Sequence, residues 1–537
     1  MGVWSFYFFL KLFLYLGKFI GFHVWPNLGF ALALAWPLER RWQRVLRQVL
    51  AVPAGLALLY YDSWLPPFQR LISQAGYLQQ FSFAYLLELL GRFVNPLALL
   101  GLVLLFAAWW LLGQRLRMGS FAVLGILLVP LSQQLGQQLS LRLAQPATAL
   151  TAAAPATSAG GDAATVATAV TDTRPADSAE LNSALEDFYR REAGRQLKLN
   201  APASPAVPFD VIFLHICSLA WDDMDYVGES KPAVLDRFDI RFSNYSTAAS
   251  YSGPAAIRLL RSACGQTSHS ALYKPAPGEC YLFNTLAQAG YQSQLLMNHD
   301  GHFGDFVGDL REGGGLKVPA IDNRSAPVKM RAFDDSPVYG DLALLSGWLA
   351  QRPAEGPPVA LYYNTVSLHD GNKLVGVPKS GVRDSFRQRL QLLFSDLGQF
   401  LDQLQASGRK AVVVLVPEHG AAVRGDRMQI SGLREIPSPA IALAPVAVKL
   451  IGLAAPPKDG PVTVSAPTSL FGLSSLVARF IEHSPYGSEP PALADYLREL
   501  PQTEFVAEND ATVVMRLRGR YYLRNPDQSW AEYDTSH

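Results

Sequence analysis

Cysteine is nearly absent: 537 residues hold three, Cys217, Cys264 and Cys280. An odd number excludes a closed set of intramolecular disulfides, so one thiol is unpaired or bonded to another chain. Net charge is also nearly absent, at +1, which removes the electrostatic case for nucleic-acid binding. There is no internal repeat. No small-residue cleavage site follows the first apolar segment, so no cleavable signal peptide is expected.

Apolar residues are unevenly spread, concentrated in roughly the first 140 positions. Residues 6–22, 24–38, 49–65, 97–112 and 121–135 approach the ~20 apolar residues of a membrane span. Pro53 interrupts the third, and Lys11 and Lys18 fall in the first. Arg40, Arg41, Arg44 and Arg47 lie between the second and third segments, and Arg115 and Arg117 between the last two. Such basic loops stay cytoplasmic. Five spans with an inside N-terminus satisfy this, as do four with residues 6–22 lying in the interface. Either places the chain beyond about residue 137 outside the cytoplasm, with residues 62–92 an outside loop resting on the membrane. Residues 1–140 then form an α-helical transmembrane bundle, 141–208 a linker and 209–537 a soluble domain. Residues 146–173, mostly Ala, Thr, Gly, Ser and Pro, cannot bury a core. Residues 179–197 read as a helix, with Leu181, Leu185, Phe188 and Tyr189 on one face.

From residue 209 the pattern is α/β. Apolar runs at 211–216, 292–296, 360–363, 411–416 and 440–444 read as strands. Helical stretches at 253–262, 282–289, 341–351 and 383–407 alternate with them, which predicts a mainly parallel central sheet. Residues 511–533 read as one or two hairpins added at the sheet edge.

Ligands in such sheets gather past the carboxyl ends of strands, and three stretches sit there. Glu418-His419-Gly420 follows a β-branched run; carboxylate and imidazole could share one metal ion from a turn that Gly420 permits, or simply make a polar turn. Cys217 ends the first strand, where a core cysteine would also fit. His369, in Ser367-Leu368-His369-Asp370-Gly371-Asn372, could act as a general acid, hold a phosphate oxygen or sit in a surface loop. Gly228-Glu229-Ser230 superficially resembles a transferase motif but comes too late after the strand. In Ser250-Tyr251-Ser252-Gly253-Pro254, Ser252 fits a helix N-cap with Pro254 in the first turn. The same geometry sets a hydroxyl against free N–H groups, which favour an alkoxide and bind phosphate.

Cysteine counting links these stretches. Cys264 and Cys280 bracket a Gly-, Pro- and Ser-containing loop that a disulfide could close, leaving Cys217 as a free thiol that metal ligation would protect. Cys217, Ser252, Glu418 and His419 would then make a four-coordinate site, with Ser252 both ligand and attacking atom.

These features together resemble the alkaline phosphatase superfamily. Closer still, residues 216–219, 247–266 (TAASYSGPAAIRLLRSACGQ), 367–373, 416–420 and 425–429 resemble the membrane-anchored phosphoethanolamine transferases of bacterial cellulose secretion. The resemblance implies an alkaline-phosphatase-like soluble domain in the periplasm, anchored in the inner membrane. It also implies zinc held by Cys217, Ser252, Glu418 and His419, with Ser252 the nucleophile. Tyr251, His369 and Arg434 match residues that the family uses around the phosphoryl group, and Cys264 and Cys280 match its disulfide. Implied partners are phosphatidylethanolamine as donor, cellulose as acceptor and the cellulose synthase complex. A sulfatase would need an arginine two positions after Pro254, where Ala256 stands. A non-catalytic synthase subunit would need no metal.

Overall fold

The computed structural model describes residues 2–17, 20–63, 96–113, 116, 118–129, 174–200, 207–353, 355–457 and 459–535. The chain forms two compact units. All but the first two residues of the expected surface loop at 62–92 lie outside the described residues, as do the tether at 146–173, Arg115 and Arg117.

The N-terminal unit contains helices Trp4–Leu16, Val24–Ala35, Arg41–Asp62 and Pro96–Gly113, and another at 118–129. Among the described residues, no helix is long and apolar enough to cross a membrane. The first two expected spans shorten to helices of 13 and 12 residues, which at 1.5 Å per residue reach about 20 Å. The third reaches 22 residues but begins with Arg41, Arg44 and Arg47 and ends in Asp62. Lys11, the interruption in the first apolar segment, is fully buried, as is Asp62. Its Nζ lies 2.5 Å from Asp62 Oδ2 and donates to Asn27 Oδ1 at 2.7 Å. Asn27 Nδ2 donates to Asp62 Oδ2 at 2.7 Å. Satisfying each partner in this way is what makes a buried pair tolerable.

In the second unit the strands are Asp210–Ile216 (β1), Ile240–Phe242 (β2), Gln292–Met297 (β3), Val328–Arg331 (β4), Pro337–Tyr339 (β5), Val359–Thr365 (β6) and Lys373–Leu374 (β7). Ala411–Pro417 (β8), Val446–Ile451 (β9), Val462–Val464 (β10), Val506–Glu508 (β11), Val513–Leu517 (β12), Arg520–Arg524 (β13) and Trp530–Glu532 (β14) follow. The main sheet runs β10-β2-β9-β8-β1-β6-β3. It is parallel through β8, β1, β6 and β3, while β9 runs antiparallel to both β8 and β2. The expected mainly parallel sheet is therefore present. Val211, Phe213, Val412, Val414 and Val416 face one core, and Ile212, Leu214, Ile216, Val413 and Leu415 the other. Both faces are covered, which is why these strands read as unbroken apolar runs. Helices Ser252–Leu260, Leu282–Gln288 and Leu470–Glu482 cover the first face, and Asp341–Ala350 and Val382–Ala406 the second.

Residues 440–444 do not form a strand. Pro439 opens a helical turn, Pro439–Ala442, and the strand is the β-branched run of β9; proline at a first helical position loses no hydrogen bond. The C-terminal residues are not an edge of the main sheet either. β11 to β14 form their own antiparallel sheet. Helix Ser178–Ala193 packs Leu181, Leu185 and Phe188 against Val513, Met515 and Tyr522 on one face. Val514 and Leu523 bury the other face beside Ala442. Alternating residues are apolar on both sides, so neither face could remain in water.

Cys264 and Cys280 are disulfide-bonded, 16 positions apart, and Cys217 is free and buried. Replacing both bonded cysteines with serine is expected to cost about 3 kcal/mol of unfolding free energy, read as a lowered urea midpoint at unchanged slope.

Candidate metal and phosphoryl site

The site is assembled at the carboxyl edge of β1, β6 and β8. Cys217 follows β1 directly, its N–H donating to Thr365 O at 2.9 Å. Glu418 follows β8 and is held by its N–H to Ile216 O at 2.8 Å. Leu219 N–H donates to His419 O at 2.6 Å, which ties the two strand ends together. Asp223 clamps the next loop by accepting from Ala421 N at 2.6 Å and Val423 N at 2.9 Å. Gly420 has no positive φ; it is needed for space, since a Cβ there would sit 2.6 Å from Ala220 Cβ and 2.8 Å from Asp223 Oδ2.

Tyr251, not Ser252, occupies the N-cap position, and Ser252 is the first helical residue. The hydroxyl is therefore not spent on capping. Ser252 Oγ lies 3.5 Å from Cys217 Sγ and 3.4 Å from His419 Nε2. Ligand atoms of Cys217, Glu418 and His419 all fall within 4.8 Å of one another. His419 Nδ1 contacts Gly420 O at 2.8 Å. A carbonyl can only accept, so the proton is on Nδ1 and the Nε2 lone pair faces the cluster.

Burial in an apolar edge favours every neutral form. It pushes the Cys217 thiol up to about 12, with the Glu418 charge adding to the effect. It likewise raises the Glu418 carboxyl and drives the His419 imidazole well below its ordinary range. Glu418 Oε1 accepts from Asn364 Nδ2 at 2.6 Å, but buried Oε2 has no hydrogen-bond partner among the described residues. An orphaned carboxylate oxygen beside a thiol and an imidazole lone pair fits a soft-to-borderline divalent cation such as zinc.

Arg434 enters from the loop after β8, Nη1 donating to Ser218 Oγ at 3.2 Å and its guanidinium lying 5.3 Å from the Tyr251 ring centre. Its buried Nε has no partner among the described residues. Tyr251 OH donates to Glu435 Oε1 at 2.7 Å. The C-terminal sheet braces this loop. Asn509 Nδ2 and Thr512 Oγ1 donate to Glu435 O at 3.1 and 2.7 Å, Arg427 pairs with Asp534 at 2.5 Å, and Tyr533 OH meets Asp426.

His369 lies in the loop after β6, which Arg389 holds through Ser367 O and His369 O at 3.0 and 2.8 Å. Its partly buried ring packs against Phe333, centroids 4.9 Å apart. Burial, then Arg434, lowers its pKa to about 4. Nδ1 meets Asp370 O at 2.8 Å, so here too Nε2 carries the lone pair.

Sequence reasoning missed the shell behind Glu418. His215 and Asn364 are register partners on β1 and β6. His215 Nδ1 lies 2.6 Å from Tyr362 OH and 3.7 Å from Glu418 Oε1, and His299 Nε2 lies 2.7 Å from Asn364 Oδ1. The signal was a polar residue near the end of each of two apolar strands.

A mainly parallel sheet that gathers thiol, hydroxyl, carboxylate and imidazole at one edge defines an α/β protein with a candidate metal centre. The chain belongs to the BcsG family: models described as the cellulose biosynthesis protein BcsG N-terminal and C-terminal domains match residues 4–131 and 165–530. It is 40% identical over 539 residues to the cellulose biosynthesis protein BcsG of Escherichia coli (strain K12), covering 99% of this chain and 96% of that one. Identity to the Salmonella typhimurium protein is 39% over 542 residues, with the same coverages. Among solved structures, an alkaline phosphatase superfamily protein from Vibrio parahaemolyticus has a TM-score of 0.46 and 13% identity, covering 66% of this chain and 91% of that one.

Proposed function

We propose that this protein transfers phosphoethanolamine from phosphatidylethanolamine to glucosyl hydroxyls of nascent cellulose, through a covalent intermediate on Ser252. The observation that carries the reading is the uncapped Ser252 hydroxyl, set at a helix start against Cys217 and His419. Cys217, Ser252, Glu418 and His419 would hold zinc, which when bound lowers the hydroxyl pKa and neutralises charge on phosphoryl oxygens. In the first half-reaction the Ser252 Oγ–P bond forms as the P–O bond to diacylglycerol breaks. The hydroxyl proton passes to the diacylglycerol oxygen by way of His369 Nε2. In the second, a glucosyl O–P bond forms, the Ser252 Oγ–P bond breaks, and the glucosyl proton returns to Ser252 along the same route. Arg434 and the helix N–H groups hold the phosphoryl oxygens.

A lipid donor calls for membrane attachment. Trp25, Trp36, Val103, Trp110 and Leu111 of the N-terminal unit are all more than half exposed, an apolar surface of the kind that lipid covers. We assign this unit to the inner membrane, beside the cellulose synthase complex, and the second unit to the periplasm. Zinc-loaded full-length protein in phosphatidylethanolamine bilayers with cello-oligosaccharide is expected to release diacylglycerol and yield phosphoethanolamine-bearing glucan by mass spectrometry. Undiminished transfer after rigorous metal removal, or no product with metal present, would sink the reading.

A further inference from the structure

We infer that the Asp309 carboxylate receives the ammonium group of the donor headgroup and so selects phosphoethanolamine over phosphodiesters that lack a cation, an inference that rests on the transfer reading above. Asp309 Oδ2 occupies the space of a side chain at Gly253, the residue after the nucleophile: a Cβ built there would stand 2.1 Å from that oxygen. A side chain at 253 would have to displace that carboxylate, and the φ of Gly253 needs no special freedom.

The segment carrying Asp309 is held tightly to the nucleophile helix. Asp309–Gly313 is a π-helical turn, a geometry frequent at functional sites. Its Leu310 is fully buried in the core. A Cβ on Gly313 would meet Ile257 Cδ1 at 2.5 Å, and one on Gly314 would meet Leu260 Cδ1 at 2.2 Å. Other residues of the same stretch reach the site independently. Phe303 stacks edge-on against Phe333, which packs on His369, and His299 meets Asn364 behind Glu418.

The Asp309 carboxylate has no hydrogen bond or ion pair among the described residues, and burial, then the Asp305 charge, pushes its pKa up to about 6. A half-buried anion lacking a partner, beside the residue that follows Ser252, repels a bare phosphoryl group. A headgroup that carries its own cation reverses the sign. In phosphoethanolamine the ammonium is joined to phosphorus through O–C–C–N, so a phosphoryl group on Ser252 leaves it close to Gly253. A charge-assisted N–H···O bond would hold it there.

The test compares two chromogenic esters, p-nitrophenyl phosphoethanolamine and p-nitrophenyl ethyl phosphate, which differ only in the ammonium group. With zinc-loaded full-length wild type the ratio of kcat/KM is expected to favour the ammonium ester. Asp309→Asn, checked for unchanged zinc content and melting temperature, is expected to lower that ratio about 10- to 100-fold, mainly through KM. Asp309→Glu is expected to restore part of it. A ratio unchanged by Asp309→Asn overturns the inference while leaving the transfer reading intact. A wild type inert toward both esters overturns the transfer reading, and the inference with it.

Discussion

Replacing Ser252 with alanine is expected to lower transfer about a thousandfold or more, with diacylglycerol release lost to the same degree. Ser252 is the hydroxyl in contact with both Cys217 and His419, and in the proposed mechanism both half-reactions depend on it. Cys217, Glu418 and His419 remain to bind metal, so zinc content is expected to fall less than activity. Intact-mass measurement after brief exposure to lipid should show a phosphoethanolamine adduct on wild type and none on the variant. An active alanine variant, or an adduct elsewhere, would remove Ser252 from the mechanism.

The second large effect concerns the metal. Without a cation, burial holds the Cys217 thiol up at about 12 and raises the Glu418 carboxyl, so both lean toward their protonated forms. Binding must expel those protons, so affinity should fall about tenfold per pH unit for each proton released as pH drops. The sign is fixed: acid favours the empty site. Chelation at neutral pH is expected to lower stability by about 4 kcal/mol where free metal stood at ~1,000 times its dissociation constant. Glu418→Gln keeps the shape, removes the charge and should weaken zinc binding about 100-fold or more. Chelator should then no longer shift its melting temperature. Zinc bound equally well from pH 5 to pH 8 by either protein would contradict the ligand set.

How far these features could be read from sequence depended on how local their causes are. Val412 to Val416 announced a strand buried on both faces, and Glu418 and His419 followed at its end, because burial and position both act along the chain. Ser252 was found but read as an N-cap, a position that Tyr251 holds, since whether a hydroxyl turns back to its helix or out to a thiol depends on Cys217, far away in sequence. Residues 440–444 failed because Pro439 and the apolar run after it suit either a turn or a strand, and pairing with β8 decides between them. The four-stranded C-terminal sheet was read as hairpins but placed on the wrong neighbour, because pairing in sequence says nothing of what covers the outer face. Asp309 had no signal at all. Its segment has no helical or strand period, and its meaning lies in touching Gly253 across the core. Lys11 was visible as a flaw in an apolar run, while its partner Asp62 was not.

The bracing of the Arg434 loop bears on the order in which the protein is made. Synthesis delivers Cys217, Ser252, Glu418 and Arg434 well before Asn509, Thr512, Tyr533 and Asp534, which fasten residues 426–435 in place. A nascent chain thus holds Ser252 before the Arg434 guanidinium is anchored. The clamp on the loop is complete only when the final sheet closes over it, so under the proposed function an incomplete chain would carry the Ser252 hydroxyl without the anchored guanidinium.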